Sequence, residues 1–136
     1  MEITNIEKLK KIAQGEIVEL PGFTHDEPFI ARLKRPSLLN LVGHGQIPND
    51  LLNAVHIVFF GAKTSKDVVS MKELNSIYEL VAKAAMVEPS YDELSKIGLK
   101  LTDEQLMDIF NYTQRGVEAL KSFRAKQQRS ESNQSK

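Results

Sequence analysis

Apolar positions recur along this chain with two different spacings, and the changes of spacing mark its elements. From residue 5 to residue 13 they fall three or four apart. Ile6, Leu9, Ile12 and Ala13 share one helical face, and Gly15 stops the run. Two short runs follow, EIVEL (16–20) and FIARLKR (29–35), separated by PGFTHDEP. Both runs carry β-branched or aromatic residues and the connection carries Pro and Gly, so they predict a β-hairpin at about 16–35 with a long loop. A residue before proline is pushed out of the α region, which ends the second strand at Arg35 and suits Pro36 to the first position of a short helix, PSLLNLV. Gly43 and Gly45 end that helix. Pro48 opens the next, running roughly from 48 to 60, with Leu51, Leu52, Val55, Val58 and Phe59 as its apolar stripe and Gly61 as its stop.

Three later helices declare their own starts. Val69-Ser70-x-x-Glu73-Leu74 places a Ser cap three residues before a Glu, with apolar residues at the two staple positions. Ser90-x-x-Glu93 repeats the cap, and Leu101-Thr102-x-x-Gln105-Leu106 repeats cap and staple. Each arrangement satisfies amide donors that a helix start otherwise leaves unpaired. The predicted helices are 71–86, 91–97 and 103–126. The last has Leu106, Ile109, Phe110, Thr113, Val117, Leu120 and Phe123 along one face. After Ala125 the text KQQRSESNQSK has no apolar residue and reads as a disordered tail, 126–136. The expected fold is therefore mainly α with a small N-terminal β-hairpin, a single helical domain over 1–125.

Composition narrows the function. The 18 basic residues equal the 18 acidic ones, so the chain lacks the cationic excess from which duplex-binding proteins draw affinity, and nucleic acid is disfavoured as a partner. A net charge of zero also suits a surface normally covered by another protein. With no Cys, disulfides, Cys-ligated zinc and thiol nucleophiles are excluded. The N-terminus has no apolar stretch of the signal-peptide kind. The longest apolar run, Ile57 to Phe60, is far short of a membrane span, so no membrane association is expected.

The chemistry-bearing side chains each have a structural explanation at hand. His25, His44 and His56 fall in a loop, a Gly-flanked turn and a helix, and no two have the spacing of a helical metal pair. His25-Asp26-Glu27 reads better as a solvated hairpin tip than as a metal or acid–base cluster, since adjacent residues seldom converge on one ion. His56, beside the apolar stripe of its helix, reads as a partly buried structural residue. Gly43-His44-Gly45 has neither the Lys-Ser/Thr ending of a phosphate loop nor the strand-then-helix setting of a dinucleotide fingerprint. No enzyme, metal or cofactor is expected. Arg32, Lys34 and Arg35 form the one compact basic cluster, with Arg32 and Lys34 on one strand face: either a contact for an acidic partner or a solvated face that discourages edge pairing. Phe60 and Tyr112 lie off the main stripes of their helices. As exposed aromatics they would suit a protein interface; as packed ones they would lie under a neighbouring helix.

The stretch FIARLKRPSLLNLVGHGQIPNDLL (29–52) resembles small proteins of tailed phages and prophages: an Arg-rich strand, Arg-Pro-Ser-Leu, a Gly-x-Ile-Pro-Asn turn and paired leucines. The stretch 101–124, with Val87-Glu88-Pro89 ahead of it, resembles the closing helix of the same family, the tail assembly chaperones. Together with the helix between them, the resemblance covers about two-thirds of the chain. It implies a protein that binds the tape measure protein and the tail tube protein during tail morphogenesis. Such a protein self-associates, acts in the bacterial host cytoplasm and is absent from the mature virion. Many members of the family also have a longer, frameshifted form. It carries over no residue-level site, so the binding candidates rest on physical grounds: Arg32, Lys34 and Arg35 for polar contacts, Phe60 and Tyr112 for apolar ones. The rival readings are a minor structural or tail completion protein of the virion, a small DNA-binding regulator with a helix-turn-helix around Gly98, and an enzyme built on His25 and Asp26. Against the regulator stand the neutral charge and the acidic Asp103-Glu104 at the start of the would-be recognition helix.

Overall fold

A computed structural model describes residues 1–62 and 64–115 of the chain. The fold is mainly α with a small sheet near the N-terminus. Along the chain come α1 (Ile6–Ala13), β1 (Glu16–Leu20), β2 (Phe29–Leu33), α2 (Leu38–Gly43), a single 3-10 turn (Asn49–Leu51) that leads into α3 (Leu52–Phe60), α4 (Met71–Ala85), β3 (Met86–Glu88), α5 (Tyr91–Lys96) and α6 (Asp103–Arg115). The expected continuation of α6 to residue 126 and the expected tail lie outside the described residues.

The hairpin forms where the alternation places it. β1 and β2 are antiparallel, with Glu16 opposite Leu33 and Leu20 opposite Phe29. Val18, Leu20, Ala31 and Leu33 point to one face and are buried, as the two-residue period of a strand requires. The second strand stops at Leu33, two residues earlier than expected, although the Lys34 amide still donates to the Ala85 carbonyl at 2.9 Å. The hairpin is not alone. Met86 leaves α4 in an extended conformation and β3 pairs antiparallel with β2, placing Leu33 opposite Met86 and Arg32 opposite Glu88 across a register shift. The sheet order is β1-β2-β3.

All three capping boxes are present. In α4 and α5 the Ser70 and Ser90 hydroxyls accept from the amides of Glu73 and Glu93, and each glutamate accepts in return from the serine amide. The return bond from Ser90 holds the exposed Glu93 carboxyl below its usual range. At α6, Thr102 Oγ1 accepts from the Gln105 amide at 3.1 Å and Gln105 Oε1 accepts from the Thr102 amide at 2.9 Å. The start of α2 differs from expectation. Leu38, not Pro36, is its first residue, because Ser37 caps it, its hydroxyl accepting from the Asn40 amide at 3.2 Å, and so the helix starts two residues later.

Two apolar clusters make the core. One joins the inner face of the sheet to Ala82, Ala85, Met86, Leu94, Leu106, Ile109 and Tyr112. The other joins Leu41, Ile47, Ala54, Val55, Ile77 and Val81. Helix α4 contributes to both, and Phe110 lies where they meet, its ring 4.9 Å from Tyr78 and 5.6 Å from Phe59. Gln105, fully buried, fastens α6 to the hairpin loop: its Nε2 donates to the Pro21 carbonyl at 2.8 Å. A single side chain thus closes a helix cap and a contact distant in sequence. Replacing Gln105 with Leu leaves the Thr102 amide and the Pro21 carbonyl without these partners. We expect a loss of about 2–3 kcal/mol, read as a fall in Tm on the order of 10 °C in thermal unfolding followed by circular dichroism.

Candidate protein-binding surface

The five residues singled out from the sequence divide into structural and surface groups. Arg32 is half-buried on the outer face of β2, and its Nη1 donates to the Gly15 carbonyl at 3.4 Å. Lys34 is exposed just beyond the strand. Arg35 is exposed, yet its Nε donates to the Thr113 carbonyl at 3.4 Å and its Nη2 to the Gln114 carbonyl at 3.0 Å. It thereby ties the end of the hairpin to the last described turn of α6. Two of the three basic side chains therefore hold backbone carbonyls, and Lys34 is the one whose head group the fold leaves in solvent.

Tyr112 is not a surface aromatic: it is 1% exposed, inside the core. The stripe read from the apolar letters alone was rotated from the true buried face. That face is Gln105, Asp108, Ile109 and Tyr112, a series at i, i+3, i+4 and i+7 whose polar members conceal it, with the expected Leu106 buried at its edge. The Tyr112 hydroxyl lies 3.3 Å from Glu16 Oε1 and 3.4 Å from the Leu33 carbonyl oxygen, and its proton serves these two acceptors. Burial, reinforced by the neighbouring Glu16 carboxylate, pushes the Tyr112 pKa up to about 12.

Phe60 is a surface aromatic, 66% exposed at the C-terminal end of α3. Its ring sits 5.1 Å from that of His56, which is itself exposed rather than part of the core. Leu52, His56 and Phe60 are four residues apart and line the face of α3 opposite Ala54, Val55 and Val58. Leu39 and Val42 are similarly exposed on α2, and Val68 and Met71 at the approach to α4. Aliphatic exposure at these positions has no counterpart in the sequence signals, because each apolar residue there also fits a buried stripe.

The described residues contain no group of His, Asp and Glu able to hold a metal ion. His25 and Asp26 are exposed at the hairpin loop. A cleft of about 340 Å³ opens between α4, α5 and the start of α6, with Asn75, Glu79, Tyr91, Leu94 and Leu99 in its lining. Burial and then the Glu79 carboxylate raise the Tyr91 pKa, which keeps the phenol protonated and unsuited to act as a base. A smaller cleft of about 190 Å³ lies between Pro36, Leu38, Leu41, Phe59, Val81 and Thr113. No helix among the described residues is long and apolar enough to cross a membrane. No family model, no curated protein and no solved structure matches the chain.

Tyr112 yields a pH dependence whose sign is fixed. Its pKa is about 12 in the folded chain against an ordinary 10.0, so the folded state keeps a proton that the unfolded chain releases. Its contribution is complete below pH 10 and is lost as pH rises toward 12. We expect Tyr112→Phe to cost about 1 kcal/mol at neutral pH and to flatten the alkaline fall in stability, measured by urea unfolding at a series of pH values.

Proposed function

We propose that this chain is a phage tail assembly chaperone: a protein that binds the tape measure protein, the tail tube protein or both during tail morphogenesis, and that carries out no reaction. The observation that carries the reading is the exposed apolar stripe Leu52–His56–Phe60 on α3, beside the exposed Leu39 and Val42 on α2. An amphipathic client helix docks on such a face through anchors spaced three and four residues apart. The stretch 29–52, which carries the resemblance to the family, supplies β2, α2 and the turn into α3, so the family-like segment leads directly into this surface. The proposed setting is the bacterial host cytoplasm, with the protein absent from the mature virion.

The face is suited to holding and releasing. It is aliphatic with a single tilted His–Phe ring pair, and hydrophobic contact of this kind is non-directional, so it tolerates sliding of the client along the face. The core cluster beneath it stays closed, because Ala54 and Val55 on the opposite side of α3 make the packing.

The test is co-expression with a tape measure protein from the same genome, scored by client solubility and by affinity of the purified pair. The double variant Leu52→Ala/Phe60→Ala should weaken client binding at least about tenfold, given the apolar area removed. Its own stability should fall by no more than about 1–2 kcal/mol, because Phe60 is 66% exposed and the partly covered Leu52 belongs to neither core cluster. Undiminished client binding by the variant would sink the assignment of this face. Finding the protein in purified virions by mass spectrometry would sink the chaperone reading itself.

A further inference from the structure

Helix α1 presents an apolar stripe that its own chain leaves uncovered. Ile3 precedes it at 98% exposure, Ile6 and Ile12 are more than 60% exposed, and no residue of α1 is buried. Yet the helix is well made: Asn5 caps it, its side chain accepting from the Glu7 amide at 2.7 Å. Helical periodicity puts Ile6, Leu9 and Ile12 on one side with Lys8 and Lys10 on its two flanks, Lys10 paired to Glu7 at 3.4 Å and Lys11 further round. An isolated helix of eight residues is marginal in water and depends on packing for its persistence.

The outer face of the sheet is the second uncovered surface. Ile17 on β1 and Ile30 on β2 are exposed and diagonal to each other, since Ile17 stands opposite Arg32 and Ile30 opposite Glu19. Val87 in β3 is also exposed, and Glu88, paired with Arg32, shares its partner's face. The isoleucines are thus bracketed by Glu19 on one edge strand and Glu88 on the other, with Arg32 between. A basic-flanked aliphatic helix and an acid-bracketed aliphatic sheet face are complementary.

Within one chain the two surfaces do not meet. Only Gln14 and Gly15 join α1 to β1, and Gly15 is pinned: it has φ +90°, a Cβ there would stand 2.5 Å from the Leu33 carbonyl oxygen, and its own carbonyl is held by Arg32. The linker therefore leaves the sheet in a fixed direction with α1 clear of it. We propose that α1 docks on the outer sheet face of a second copy of this chain, each copy giving its helix to the other. Reciprocity makes the contact twice, which lets a short helix approach the roughly 1,200 Å² at which specific interfaces begin. This dimer is independent of the tape measure reading, and failure of client binding leaves it untouched.

The chain has no cysteine, so engineered thiols report without background. Leu9→Cys protein mixed with Ile30→Cys protein should give a disulfide-linked heterodimer on mild oxidation. Sedimentation equilibrium of the full chain should show a dimer. Ile6→Glu/Leu9→Glu and, separately, Ile17→Lys/Ile30→Lys should each raise the dissociation constant at least about tenfold with the helical circular dichroism retained. Lys8→Glu/Lys10→Glu should weaken the dimer, and Glu19→Lys/Glu88→Lys in the same chain should restore it. A monomer at about 100 µM, or a dimer indifferent to both apolar pairs, overturns the proposal. A thiol pair placed in one chain that closes within that chain, the mixture giving no heterodimer, overturns it as well.

Discussion

Helix α4 has to bury two adjacent faces at once, and the rest of the fold is arranged around that demand. Ile77 and Val81 lie on one side of it against α2 and α3, and Ala82 and Ala85 lie on the other against the sheet and α6. Only the remaining strip, with Lys72, Asn75, Glu79 and Lys83, is exposed to water. The alanines matter as much as the larger residues. Both are fully buried, and their small side chains let the inner face of the sheet and α6 come close to the helix axis. A larger residue there would have to push either the sheet or α6 away, and overpacking of this kind is itself destabilising.

The direct step from α4 into β3 follows from the same geometry. Once Ala85 is pressed against the inner sheet face, the next residue is beside β2, and Met86 can bury its side chain only by leaving the helix. The Lys34 amide meets the Ala85 carbonyl at that point, satisfying an acceptor that the end of a helix would leave open. Gln105 does comparable work at the opposite end of the hairpin, anchoring its loop to α6. The sheet is thus held from one side only, which is why its other face remains available.

Local signals were legible and distant ones were not. The capping boxes at Ser70, Ser90 and Thr102 could be read because each closes within four residues, and the hairpin because its alternation is a property of the strands themselves. Strand β3 left no trace in three residues, since its pairing depends on where α4 delivers the chain. Tyr112 was misplaced for a related reason: its buried face includes Gln105 and Asp108, and polar letters carry the meaning "outside" unless their partners are known. Arg35 looked like a recognition residue because its acceptors, the carbonyls of Thr113 and Gln114, are 78 and 79 positions away. Of the aromatic candidates Phe60 is exposed and Tyr112 is buried, and the exposed stripe on α3 was hidden because Leu52 also fitted the inward-facing series.

What the fold consumes determines what the surface can offer. Arg32, Arg35, Tyr112 and Gln105 spend their polar groups on backbone carbonyls and on one another's elements, and no buried polar side-chain atom among the described residues lacks a partner. Among the large hydrophobic side chains, those left in solvent gather on α1, on the outer sheet face and along α2 and α3. Single exposed aliphatics are ordinary on any protein, but whole helical faces of them are not. Surfaces of this composition bind by area and shape, with charges at the margin setting orientation and partner choice. With the apolar core closed beneath them, these outer faces are apolar area that the fold itself does not use.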